Sequence, residues 1–325
     1  MHGQLLITGI RGADPADPLF ESDLEECAKA GVGGVILFDV DIPSMRDGDP
    51  SSSPRNILSP DQLSELVGTI RERLGSEAWV AIDQEGGQVA RLNPRRGFEP
   101  DPSAREFAEL GSEDRVRVAR RLAGRLADLG IDLNFAPCID LELDPANPII
   151  AGRDRSFGVT AERVVEAATV VLDAHVESGV AACLKHFPGH GSGGGDSHEG
   201  SVDVTDTWRD EEIEPYRRLC GRRGVGVMAA HVLQRNMDSS LPASLSSRVI
   251  DGFLRARLGF EGVVFTDSID MRAIADRWSA EEAAVMAVRA RADVVVDGFN
   301  LTRRHEHPAR AIVAALRTAI DEDRL

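Results

Sequence analysis

TAERVVEAATVVLDAHVESGVAACLKHF (160–187) changes its period part-way along. From Thr160 to Gly179 the apolar residues recur at three- and four-residue spacing. Thr160 stands as an N-cap ahead of Glu162 and Gly179 as a terminator, so the segment predicts an amphipathic helix. AACLKHF (181–187) is then a short apolar run of the kind buried strands show, and it delivers the polar pair Lys185 and His186 near its end. A helix feeding a buried strand is half of an α/β repeat.

The same alternation extends in both directions. Strand-like runs occur at LLITGI (5–10), GGVILF (33–38), WVAID (79–83), IDLNFAP (131–137), GVGVMAAH (224–231), GVVFTD (262–267) and ADVVVDG (292–298), which with 181–187 makes eight. Amphipathic stretches lie between them, among them SPDQLSELVGTIRERLG (59–75), SEDRVRVARRLAGRLADLG (112–130) and SAEEAAVMAVRARA (279–292). Eight strands with intervening helices predict a single (β/α)8 TIM-type barrel, one domain over residues 1–325, with an open doubly wound sheet as the alternative. The position of the polar residues favours the barrel. Asp83, Asn134, Lys185, His186, His231 and Asp267 each close an apolar run, and in a barrel those strand ends converge on one face. Any one of them alone reads equally well as a polar strand terminator.

Composition narrows the function classes. A formal net charge of −17 disfavours nucleic acid and anionic membrane as partners and leaves small neutral ligands as the easier fit. No run reaches the roughly 20 apolar residues needed to span a bilayer, and the start MHGQLLITGIRGADP has no secretory pattern, so the expectation is a soluble, cytoplasmic monomer. Cys27, Cys138, Cys183 and Cys220 are widely spaced and read as free thiols. Lysine occurs only at Lys29 and Lys185, and the acidic excess raises the expectation of salt adaptation.

Three stretches carry chemistry. KHFPGHGSGGGDSH (185–198) leaves a strand end, turns at Pro-Gly, and brings Asp196 and His198 in on a glycine-rich loop. Spacing of two puts both side chains on the same side of an extended backbone, where the carboxylate sets the imidazole tautomer and raises its basicity. A metal site from His186, His190, Asp196 and His198 competes, but HExxH spacing and paired cysteines are missing. A phosphate loop is disfavoured because no GK[ST] follows the glycines. VVFTDS (263–268) ends its apolar run at Asp267, poised to attack an anomeric carbon or to stabilise charge on it; by itself such an Asp is more often a helix N-cap, and the neighbouring motifs reverse that reading. AIDQEGGQVARL (81–92) offers Asp83 to sugar hydroxyls, turns at Gly86-Gly87 and lets Arg91 reach back, with Arg155 of AGRDRSFG (151–158) a second cation. Either arginine alone reads as a surface residue. The Ser/Pro/Asp-rich IPSMRDGDPSSSPRN (42–56) is expected as a loop or lid on the active face.

These motifs together resemble glycoside hydrolase family 3, and within it the single-domain β-N-acetylglucosaminidases of the peptidoglycan-recycling type. GVILF, AIDQEGGQVARL, NFAPCIDL, GRDRSFG, KHFPGHGSGGGDSH, MAAHV, PASLS and LGFEGVVFTD occur in the family's order, and the DSH-bearing loop is the specific part. The resemblance implies a retaining exo-hydrolase without metal or cofactor, acting on a small carbohydrate. In it Asp267 is the nucleophile and His198, assisted by Asp196, the acid/base; Asp83, Arg91, Arg155, Lys185 and His186 bind the sugar. An imidazole near its ordinary value of about 6.5 serves both proton transfers without burial. A glycoside phosphorylase, a β-glucosidase and a non-catalytic sugar-binding barrel remain as alternatives. Gln88, Ser268 and the long 42–56 loop depart from the family's pattern.

Overall fold

A computed structural model of the chain describes residues 2–301 and 305–322. The strands are β1 (Leu6–Gly9), β2 (Gly34–Leu37), β3 (Trp79–Ile82), β4 (Leu133–Asn134), β5 (Ala181–Phe187), β6 (Val225–Ala229), β7 (Val264–Ser268) and β8 (Val294–Asp297). All pair in parallel with their sequence neighbours, and β8 returns to β1, so the sheet is closed. One main helix follows each strand: α1 (Pro18–Ala30), α2 (Pro60–Leu74), α3 (Ser112–Asp128), α4 (Ala161–Ser178), α5 (Glu214–Leu219), α6 (Arg248–Arg257, wound in the wider π form), α7 (Ala280–Arg289) and α8 (Ala309–Asp321), with short extra helices at Ala104–Glu109 and Arg272–Ala275. This is the expected (β/α)8 barrel.

Local chemistry sets the boundaries. The Thr160 side chain accepts from Arg163 N to open α4, and Gly179 at φ 73° ends it. Ser279 and Glu282 form a reciprocal capping box at the start of α7. The run 131–137 pairs only at Leu133 and Asn134, shorter than the sequence predicts; Pro137 has no N–H to give a ladder.

Alternation along the strands sorts side chains into two layers. Ile7, Ile36, Ala81, Leu133, Cys183, Met228, Phe265 and Val296 fill the barrel interior, capped by Phe135, whose ring meets Phe265 edge-on at 5.4 Å. Their neighbours Leu6, Val35, Leu37, Val80, Ile82, Leu184, Val227, Val264 and Val295 point outward into the larger core beneath the helices. Burying one such side chain is worth about 1.5–3 kcal/mol, and both faces of the strands contribute because both are buried.

Candidate active site

Counting two residues beyond the interior layer reaches the mouth. Ala81 is followed by Asp83, Cys183 by Lys185 and Phe265 by Asp267, and all three line a pocket of about 320 Å³ at the carboxyl end of the barrel. Phe38, Arg91, Arg155, His186, His190, Ser197 and His198 line it as well. Of the expected catalytic and sugar-binding residues, Asp196 alone stands back from the lining, behind His198. The volume suits one small ligand rather than a polymer cleft.

The floor is an ion network. Lys185 Nζ sits 2.7 Å from both Asp83 Oδ1 and Glu85 Oε1, and Arg155 grips Glu85 with two parallel bonds of 2.8 and 2.7 Å. Arg91 Nη2 reaches Asp83 Oδ2 at 3.5 Å while its guanidinium lies over the Phe38 ring. Burial alone would raise the Asp83 and Glu85 carboxyls, but the facing cations outweigh it and hold both below the usual carboxylate range. Asp39, Asp267 and Asp270 and the cations Arg95 and Arg153 line the pocket as well, so a ligand meets charges of both signs. Glu85 is placed here by the sharp turn after it: Gly86 has φ +106°, and a Cβ there would collide with Pro102 O.

Asp140 organises the adjoining wall. Its Oδ2 takes His186 Nδ1 at 2.6 Å, and its Oδ1 takes the backbone N–H of His190 at 2.8 Å. The imidazole partners, after burial is overcome, bring the Asp140 carboxyl down to about 2. His186 Nε2 lies 3.2 Å from Arg155 Nη2, a group that only donates, so the ring carries its proton on Nδ1 and both nitrogens are spent within the protein.

Asp267 projects from β7 with Oδ1 accepting from Ser268 N at 2.8 Å. Burial pushes its carboxyl up, but His231, His186 and His198 outweigh this, so Asp267 is an anion at neutral pH.

The loop 191–200 crosses the mouth beside it. Ser197 O accepts from Ala273 N at 3.2 Å, which fastens the loop to the segment following β7. Asp196 Oδ1 holds His198 Nδ1 at 2.7 Å and also His198 N at 2.8 Å. The pairing expected from sequence is therefore made in a tight turn, with Glu199 N closing on Asp196 O at 3.0 Å, and not along an extended strand. The His198 side chain is 44% exposed and Asp196 11%, so the imidazole is the accessible member. The His198 hydrogen bonds, overcoming partial burial, take Asp196 down to about 2, and Arg153 adds a contact at 3.6 Å. At the loop's stem, buried Glu212 accepts from Ser192 Oγ at 2.6 Å and Gly191 N at 3.1 Å.

Across the mouth, Ile42, Met45 and Pro50 of the 42–56 loop line the pocket, so the loop does lie on the active face. Buried Arg55 secures it, donating to Phe299 O at 2.7 Å and to Asn300 Oδ1 at 3.1 Å; Asn300 Nδ2 in turn donates to Val40 O at 3.0 Å.

Comparison with known proteins gives the family. Residues 10–320 match the model of the glycosyl hydrolase family 3 N-terminal domain. The chain belongs to glycoside hydrolase family 3. Within that family it is 38% identical over 312 residues to the beta-hexosaminidase LpqI of Mycobacterium tuberculosis, covering 88% of this chain and 79% of the relative. A family 3 beta-N-acetylglucosaminidase from Paenibacillus superposes with a TM-score of 0.85 at 34% identity; it matches all of this chain, which spans 58% of that longer one. The beta-N-acetylhexosaminidase of Beutenbergia cavernae also gives 0.85, at 28% identity, over 99% of this chain and 91% of that one.

Two departures from the family 3 pattern now have places. Gln88 lines the pocket, and Ser268 ties β7 to the loop after β8, donating to Asp270 Oδ1 and accepting from Gly298 N, both at 2.6 Å. Asn134 and His231, singled out as strand-end polar groups, do not line the pocket: Asn134 braces Gln84 and His175, and His231 meets Ser244 and Ser268 O. Glu85, Asp140 and Glu212 are the functional neighbours that sequence reasoning missed. Among the described residues, the one cluster with metal-ligand spacing is Cys138, Asp140 and His186, not the four groups weighed from sequence. Its atoms already satisfy one another, Cys138 Sγ donating to Asp140 at 3.3 Å, and burial holds that thiol far above its ordinary value, so nothing there calls for a cation. All four cysteines are free thiols, and among the described residues no helix is long and apolar enough to cross a membrane.

Proposed function

We propose that this chain is a retaining exo-hydrolase of terminal β-linked N-acetylglucosamine, working as one catalytic domain through a covalent glycosyl-aspartate. The observation that carries the reading is that Asp267, an anion, and His198, an accessible imidazole backed by Asp196, line one small pocket. Asp267 attacks the anomeric carbon while His198, as imidazolium, gives its proton to the leaving oxygen; neutral His198 then takes a proton from the water that releases the sugar. Asp196 sustains the charged form. Asp83, Lys185, Arg91 and Arg155 present the polar floor against which the ring hydroxyls bind, and His186 keeps Arg155 in place. The names of the relatives, beta-hexosaminidases and beta-N-acetylglucosaminidases, support the amino sugar.

The natural substrate in this reading is a peptidoglycan fragment or a related amino-sugar conjugate, met in the cytoplasm by a monomer. Because the base is neutral, an anionic acceptor is not repelled, and phosphorolysis is the rival reaction. Nitrophenyl β-N-acetylglucosaminide and β-glucoside, offered with and without phosphate, decide the matter. Free N-acetylglucosamine at a rate independent of phosphate is expected; sugar phosphate, or preference for the glucoside, overturns the reading.

A further inference from the structure

We propose that His190 is a binding residue for a polar substituent of the sugar held above Asp267, an inference that rests on the pocket being a glycoside site. His190 is firmly placed: its backbone N–H donates to Asp140 Oδ1 at 2.8 Å, and its carbonyl accepts from Asn147 Nδ2 at 2.8 Å and from Gly193 N at 3.1 Å. The ring stands edge-on to His186, 6.1 Å between centroids, on the pocket wall, and the residue is only 1% exposed. Neither ring nitrogen has a hydrogen-bond partner among the described residues.

An unpaired polar atom in the interior is destabilising, and an imidazole with two of them is poorly explained by packing, which a phenyl or isobutyl group would serve without that penalty. A partner that arrives with the ligand does explain it. The contrast with the adjacent imidazole supports this: His186 has committed both nitrogens to Asp140 and Arg155, whereas His190, on the same wall, has committed neither. Burial, with His186 close by, pushes the His190 ring down to about 4, so at neutral pH it holds one donor and one acceptor. That combination matches a hydroxyl or an acetamide, each of which also offers both, and not a carboxylate or an ammonium group.

The test compares wild type with His190→Phe, and with His190→Leu in case the larger ring fails to fit. The substrates are nitrophenyl β-N-acetylglucosaminide and its 3-deoxy, 4-deoxy, 6-deoxy and N-deacetylated forms. The variant is expected to lose about tenfold to hundredfold in kcat/KM on the parent and to fall within about threefold of wild type on the one analogue lacking the contacted group. Its melting midpoint is expected to stay or rise, since unpaired polar atoms are removed. An equal loss on every analogue, as for a wall residue or one that holds only water, overturns the proposal; so does full activity on the parent or a lowered midpoint. If wild type does not cleave the parent, the functional reading falls, and the same series built on whichever β-glycoside it does cleave still decides the role of His190.

Discussion

The Ser192 hydroxyl donates to Glu212 Oε1 at 2.6 Å, which joins the stem of the loop carrying His198 to a carboxylate inside the protein. Burial, reinforced by the charge of Asp140, raises the Glu212 carboxyl to about 7 from an ordinary 4.5. An acid that the fold raises prefers its proton in the folded state. Its favourable contribution is therefore complete below about 4.5 and is lost as the pH rises through about 7. Glu212→Gln cannot titrate, so wild type should lose ground to the variant in melting midpoint between pH 4.5 and 8. A gap that stays constant across that window would show that Glu212 is not the titrating group.

Removal of the two reacting groups should give different patterns. Asp267→Ala is expected to lower turnover of every glycoside by at least about ten-thousandfold, since it removes the nucleophile of the proposed mechanism. In kcat/KM, His198→Ala should cost about 10²- to 10⁴-fold on sugar or alkyl leaving groups and little on nitrophenolate, which departs without a proton, while kcat falls on both because release of the sugar loses its base. Brønsted plots against leaving-group acidity measure this, and parallel plots for wild type and variant would remove His198 from the role of acid.

Glu85 is the keystone of the ion network, bound to both Lys185 and Arg155. Glu85→Ala removes the carboxylate that Arg155 grips and leaves Lys185 with Asp83, and breaking a buried pair in this way costs about 3–5 kcal/mol. Denaturant titration should show a loss of that size. A loss under about 1 kcal/mol, the range of exposed pairs, would mean that water reaches the network freely.

A formal charge of −17 makes self-repulsion a general burden on the folded chain. Molar salt shortens the screening length to about 3 Å, so the melting midpoint should rise between low and molar sodium chloride. An unchanged midpoint would end the idea of salt adaptation.

The barrel was legible because eight apolar runs alternate with helical periods, and the mouth because Asp83, Lys185 and Asp267 continue the inward parity of Ala81, Cys183 and Phe265. The same parity explains why Asn134 and His231 misled. Leu133 and Met228 point inward, so the residues at odd distance from them point outward, and Asn134 meets His175 of α4. What stayed hidden are contacts between segments with no local signature. Glu85 meets Arg155 across 70 residues, Asp140 meets His186 across 46, and Glu212 meets Ser192 across 20. The Asp196–His198 pair was readable from spacing alone, although a turn and not a strand produces it.

Arg55 welds the 42–56 loop to Phe299 and Asn300, so that arc of the rim behaves as a fixed jaw. The opposite arc is tied as well, through Ser197 O to Ala273 N and Ser192 Oγ to Glu212 Oε1, so both sides of the rim are anchored. Insertions engineered into this scaffold therefore belong away from both arcs, where they would leave these ties intact.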